Sequence, residues 1–175
     1  MCEWRGEVTA SDNPGDIATL AGLIRQIQVG LLTTLDANGH FHTRPVQTLE
    51  VQAGETLWFF TDWSTPKVSE LETQSHVSVG YADVKNNRFA AVSGSAQVLR
   101  DPRKAKQLWS AEQVAYYPDG PEDSRLAVLR VQIERAEYWV APGRSAYFVA
   151  AARAALTGKP AGIIGENRKL DYDAP

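Results

Sequence analysis

Residues 56–71 read Thr-Leu-Trp-Phe-Phe-Thr-Asp-Trp-Ser-Thr-Pro-Lys-Val-Ser-Glu-Leu, and their change of character halfway decides the fold. Thr56 to Thr61 is apolar on both faces, the signature of a central strand. Thr65 then suits a helix N-cap and Pro66 the first helical position, so a short helix is expected through Leu71. A strand that gives way to a helix start within about four residues aims free backbone N–H groups and the positive end of a helix dipole at one point. Ser64 and Thr65 add hydroxyl donors there, and Lys67 adds a full charge. Two readings stay open: a phosphate-binding turn, or an ordinary capped helix with a solvated lysine. Caps are much the commoner of the two.

Outward from this junction the chain reads as strands joined by tight turns. Val29 to Asp36 is β-branched and apolar and ends in the hairpin signal Ala37-Asn38-Gly39. A second strand is expected over His40 to Val51, and the turn Gln52-Ala53-Gly54-Glu55 leads into Thr56, which makes a three-stranded meander. Further strands are read at His76 to Val84, Phe89 to Leu99 and Leu126 to Val140. Helices are read after Asn13-Pro14, where Ile17, Leu20, Ala21, Ile24 and Ile27 keep a 3.6-residue period, after Asp101-Pro102, and around Val149 to Leu156. Six strands with mostly hairpin connections favour a mainly β fold, an antiparallel barrel closed or nearly closed with helices outside. Residues 1–13 read as a loose arm and 14–175 as one domain.

Composition excludes several functions. The formal net charge is −3 and no Lys/Arg block stands free of acids, which argues against nucleic-acid binding. Cys2 has no partner for a disulfide, and His40, His42 and His76 lack metal-ligand spacing, so no metal is expected. No apolar run reaches 18 residues and the first residues have no signal-like core, so the expected protein is cytoplasmic with no membrane partner.

Other positions invite chemistry or packing. Pro45 removes one ladder donor from its strand, which places Arg44-Pro45 at an edge or an interruption, where free backbone groups can meet a flat heterocycle. Trp139 shares the parity of Leu129, Val131 and Ile133 and is expected on the core face. Gly94 permits a bulge or a close backbone approach. His42 alternates with Arg44 on one face and reads as a surface histidine, and Asp62 as a partner for Lys67. No Ser-His-Asp set, paired-carboxylate motif or Gly-rich phosphate loop is present.

With Arg44-Pro45-Val46, Phe59-Phe60-Thr61-Asp62, Ser64, Lys67, Trp109, Tyr117-Pro118-Asp119-Gly120-Pro121-Glu122-Asp123 and Ala136-Glu137-Tyr138-Trp139 in one order, the chain resembles the pyridoxamine 5'-phosphate oxidase-like flavin proteins, within them the bacterial general stress proteins. The resemblance covers about residues 15 to 160. It implies a six-stranded split barrel and a homodimer with FMN (or FAD) in two clefts between subunits. Arg44, Pro45, Val46 and Gln47 would lie along the isoalloxazine, Phe60 and Thr61 beside the ring and ribityl chain, and Ser64, Thr65 and Lys67 at the phosphate. Trp139 would enter the cleft from the opposite subunit. Departures matter too. Pro66 stands where the oxidase has an arginine before its lysine, Phe89 stands in place of a glutamine, and near Arg144 the histidine of the substrate-phosphate pair is missing. The expected function is therefore an FMN-binding stress protein, a flavin-dependent oxidoreductase other than pyridoxamine-phosphate oxidase, or a flavin-binding or flavin-storage protein without turnover. A haem-handling barrel is disfavoured, since none of the histidines has a haem context.

Overall fold

The computed structural model describes residues 13–141, 152–158 and 166–172. Helix α1 (Pro14–Ile27) starts where Asn13 accepts a hydrogen bond from the Gly15 N–H at 2.9 Å. Strands β1 (Val29–Leu35), β2 (Phe41–Gln47), β3 (Glu50–Gln52) and β4 (Thr56–Asp62) follow, then helix α2 (Pro66–Thr73). Next come β5 (His76–Asp83), β6 (Arg88–Leu99), helix α3 (Pro102–Leu108), 3-10 turns at Ala111–Ala115 and Gly120–Glu122, and β7 (Leu126–Val140). Residues 152–157 are helical, and β8 (Glu166–Asp171) pairs with β7. The arm (apart from Asn13), Arg144 and the first part of the helix expected at Val149 lie outside the described residues.

All eight strands form one antiparallel sheet in the order β2-β1-β5-β6-β7-β4-β3, with β8 added to β7. This is two strands more than the six expected from sequence. Thr48 and Leu49 interrupt the long second strand by bonding elsewhere, to Gln28 O and Trp58 O, so its last residues pair with β4 instead of β1. The short, polar run Glu166–Asp171 carries too few apolar residues to announce itself as a strand, and β7 is what organises it. The two ends of the sheet, β2 and β3, are consecutive in the chain but share no ladder. The barrel is split.

Inside the curve, Leu32, Leu57, Phe59, Val79, Val92, Leu129, Val131, Ile133 and Tyr138 form the main core, and α1 covers it with Leu20, Ala21, Leu23 and Ile24. The Tyr138 hydroxyl donates to Asp16 at 2.9 Å and pins the start of that helix to β7. A second apolar cluster lies on the outer side of β4 and β7, where Trp58, Leu126 and Val128 meet Ala105 and Tyr117. That is why β4 is apolar on both faces.

One irregularity resets the second half of β7. Ser93 of β6 pairs with Arg135, but Gly94 pairs with Ile133, leaving Glu134 as an extra residue. Such a bulge reverses the inside–outside alternation beyond it. Core positions change from Leu129, Val131 and Ile133 to Ala136 and Tyr138, and Trp139 turns to the half-buried opposite face instead of the core face expected for it. Gly94 makes the bulge possible, because a Cβ on it would stand 1.9 Å from the carbonyl oxygen of Gln132. The obstacle is backbone and cannot swing aside. Gly94→Ala is therefore expected to destabilise the protein by about 3 kcal/mol or more in denaturant unfolding. Gly22→Ala in α1, where a Cβ meets nothing within 4 Å, is expected to stabilise it by up to about 1 kcal/mol. Equal midpoints for the two variants would refute this account of the bulge.

Candidate functional site

The β4–α2 junction is organised by Asp62. Its carboxylate accepts from the Ser64 N–H at 2.8 Å and the Ser64 Oγ–H at 2.6 Å, and these bonds hold it below the usual carboxylate range. Its carbonyl accepts from Thr65 Oγ1 at 2.7 Å. Thr65 is the N-cap residue of α2, yet its hydroxyl makes no capping bond to the helix. From outside, the Trp63 N–H donates to Arg125 O, and the Arg100 guanidinium lies 4.5 Å over the Trp63 ring. The turn is held on both flanks.

Lys67 does not pair with Asp62 as the sequence suggested. Its Nζ reaches back across the turn and donates to the buried Thr61 Oγ1 at 2.8 Å. Partial burial, and then the Arg44 charge, push its pKa below the ordinary lysine value, against the opposing pull of Asp62 and Glu70. A lysine that another cation influences this way is not a solvated side chain. Arg44 and Lys67 therefore stand within electrostatic reach of each other, although 22 residues of chain, including two strands, separate them in sequence.

Arg44 sits on β2, which pairs only with β1 and so is the edge strand that Pro45 indicated. On the face of β2 turned toward α2, Arg44 Nη2 donates to Glu70 Oε2 at 3.0 Å and Nη1 donates to Thr34 Oγ1. Thr34 Oγ1 donates to the same Glu70 oxygen at 2.5 Å, and His42 Nδ1 lies 2.6 Å from Glu70 Oε1. Glu70 is only 7% exposed. Burial alone would raise its pKa, but the bonds from Thr34, His42 and Arg44 outweigh it and the pKa is lowered. The carboxylate is ionised and can only accept, so the hydrogen in its bond to His42 belongs to Nδ1.

Glu70 is the residue that sequence reasoning passed over, and it turns His42 from a lone surface histidine into a member of a network. On a short helix beside Val68 and Leu71 it looks like any exposed glutamate. Only its neighbours from β1 and β2 distinguish it.

The remaining expected residues divide. Val46 is buried in the main core, while Pro45 and Gln47 are exposed on the outer face of β2. Opposite them across the β1–β2 ladder, Leu31 and Val29 are each 54% exposed. Phe60 lies on the opposite face of β4 from Thr61, its ring 6.0 Å from Trp109 and 6.2 Å from Tyr117, so next to Thr61 it offers only backbone. Tyr117, the start of the Tyr-Pro-Asp-Gly-Pro loop, is buried there, and its phenol is pushed up to about 12 by burial and by Asp62 and Asp123. Trp139 is not brought to the junction within one chain. Asp62 pairs with Leu126 at one end of β7, and Trp139 lies thirteen residues along that strand, roughly 40 Å at about 3.3 Å per residue if it ran straight. Among the described residues no group of three or more His, Cys, Asp or Glu could hold a metal, and no helix is long and apolar enough to cross a membrane.

Two cations, the hydroxyls of Ser64 and Thr65 and the N-terminus of α2 form a surface suited to an anionic head group, beside a strand edge open to a planar one. The chain's relatives fit this picture. A curated protein of Neurospora crassa, Protein bli-3, is 25% identical over 158 residues, 84% of this chain and 76% of its own length. The general stress FMN/FAD binding protein of Xanthomonas citri superposes with a TM-score of 0.61 at 26% identity, over 71% of this chain and 87% of that one. A Clostridium acetobutylicum protein related to general stress protein 26 superposes with a TM-score of 0.66 at 20% identity, over 73% and 90%, and at that identity shows the fold alone. Residues 15–161 match the family model described as pyridoxamine 5'-phosphate oxidase like, and the chain belongs to that family.

Proposed function

We propose that this protein is a cytoplasmic, homodimeric FMN-binding stress protein that acts as a flavin-dependent oxidoreductase. The observation that carries the reading is that Arg44 and Lys67, from separate segments, stand within electrostatic reach of each other, with Lys67 in the first turn of the helix that Ser64 and Thr65 precede. Their donor set fits a phosphate monoester. Each offers a charge-assisted bond, and the Ser64 and Thr65 hydroxyls, which donate to Asp62 within the turn, would turn from it to supply neutral donors at the start of α2. Pro45, on the exposed edge strand, leaves Arg44 to Gln47 open to hydrogen-bond a planar ring through backbone groups. Bound flavin would supply the redox chemistry, while these residues hold and orient it. A name supports the choice of ligand: the Xanthomonas citri protein is described as FMN/FAD binding.

The dimer rests on two features. Val29, Leu31 and Pro45 form an exposed, largely apolar sheet face continuous with the ring-binding edge. The separation of Trp139 from the junction within one chain also agrees with a Trp139 that would reach the flavin from the partner subunit. Residues 14–175 would then act as one flavin-binding domain.

A carrier without turnover remains the competing reading. What favours it is that no described side chain at the site is an activated nucleophile, and that the missing histidine near Arg144 removes a substrate-phosphate pair. Steady-state oxidation of NAD(P)H separates the two, since a carrier shows no rate above free FMN.

Quenching of FMN fluorescence on titration tests the site. Wild type is expected to bind, and Lys67→Ala to weaken binding at least about tenfold, the loss of roughly 1.4 kcal/mol or more that one charge-assisted contact supplies. Equal affinity for the two proteins would remove Lys67 from the site. Leu31→Lys is expected to give monomers by light scattering and to lose FMN with them. A monomeric Leu31→Lys that keeps wild-type affinity would separate the site from the interface and overturn its placement between subunits.

A further inference from the structure

Buried Glu70 does more than hold Arg44, because it also fixes which nitrogen of His42 is free. With Nδ1–H committed to Glu70 Oε1 at 2.6 Å, Nε2 is the nitrogen left to take a proton. It lies on a side chain 47% exposed, 3.8 Å from Asp36 Oδ2 and so beyond hydrogen-bond range. The charged groups around this imidazole come from three places. Asp36 belongs to the β1–β2 turn and is also engaged by His40 at 3.2 Å. Glu70 comes from α2, and Arg44 from β2 itself, with Lys67 beyond it. Thr34 of β1 is neutral.

The charge balance is the point. Arg44 is already paired with Glu70, and Lys67 is faced by the carboxylates of Asp62 and Glu70, so a dianion arriving here meets positive charges that are largely answered. Of the residue types in the cluster only histidine changes charge near neutral pH, and of its two histidines His40 is engaged by Asp36.

We propose that His42 is a third, proton-dependent binding residue of the anion site, taking up a proton at Nε2 when a phosphate monoester or diphosphate binds beside Arg44. The proton comes from solvent and supplies the charge that the carboxylates have cancelled. By linkage, the anion draws the proton on and the proton tightens the anion by the same factor. The site thus selects a doubly charged head group over a neutral one, and it strengthens as pH falls. This deepens the flavin reading, on which only the identity of the anion rests.

Isothermal titration of the full chain with FMN at pH 7.5, in two buffers of different ionisation enthalpy, measures the proton directly. Wild type is expected to take up a measurable fraction of a proton per FMN, as the linkage between anion and imidazole requires. Riboflavin, which lacks the phosphate, is expected to bring none. His42→Gln keeps an N–H for Glu70 but cannot be charged, and it is expected to abolish the uptake and weaken FMN severalfold. FMN binding without uptake in wild type, or uptake that persists in His42→Gln, overturns the proposal and leaves the flavin reading standing. If FMN does not bind, the flavin reading falls, and inorganic pyrophosphate in the same experiment decides the histidine. Uptake lost in His42→Gln upholds it, and no uptake or no binding overturns it.

Discussion

A carboxylate removed from water must be surrounded by donors or lose its charge, and Glu70 is the place where this protein meets that demand. Thr34 from β1 and His42 and Arg44 from β2 meet on its two oxygens. The edge strand of a split barrel has a ladder on one side only, so little else ties β2 to the helix that carries Lys67. The Glu70 network supplies that tie. Through it Arg44 stands near Lys67 instead of extending into solvent, and the two cations form a pair of charges instead of two separate ones.

The same network sets a limit on the site. A buried ion pair stabilises little in net terms, because desolvation offsets most of the attraction, but it fixes geometry. Arg44 is oriented, and at the same time partly neutralised, by the group that orients it. Lys67 is treated similarly, since its ammonium group is drawn into a part-buried position against Thr61 with Asp62 close by. The turn therefore presents well-placed donors with modest net charge.

The second constraint lies on β7. Fifteen residues long, it lines the main core with its first half, meets the outer aromatic cluster with the other face of that half, and carries β8 beside its second half. One strand can serve these layers because Gly94 lets Gln132 approach and Glu134 bulge, which reverses the alternation where the layers change. Tyr138 then points inward to reach Asp16, and Trp139 is turned away from the core at the end of the strand farthest from the phosphate-type turn.

What the residues alone determined is local. The period of α1, the alternation of β7 up to Ile133, the hairpin at Ala37-Asn38-Gly39 and the start of α2 at Pro66 all follow from side-chain spacing and turn chemistry within a few residues, and each stands where the sequence put it. The strand-to-helix turn with its two hydroxyls and a lysine was legible too, because those residues are contiguous. Only the tertiary structure decided that Glu70 is buried, that His42 belongs to a network and that Trp139 leaves the core. The physical reason is common to all three. A hydrogen bond or a bulge between strands depends on which distant residue lies opposite, and a register shift of a single residue, which no local pattern records, exchanges the two faces of everything beyond it.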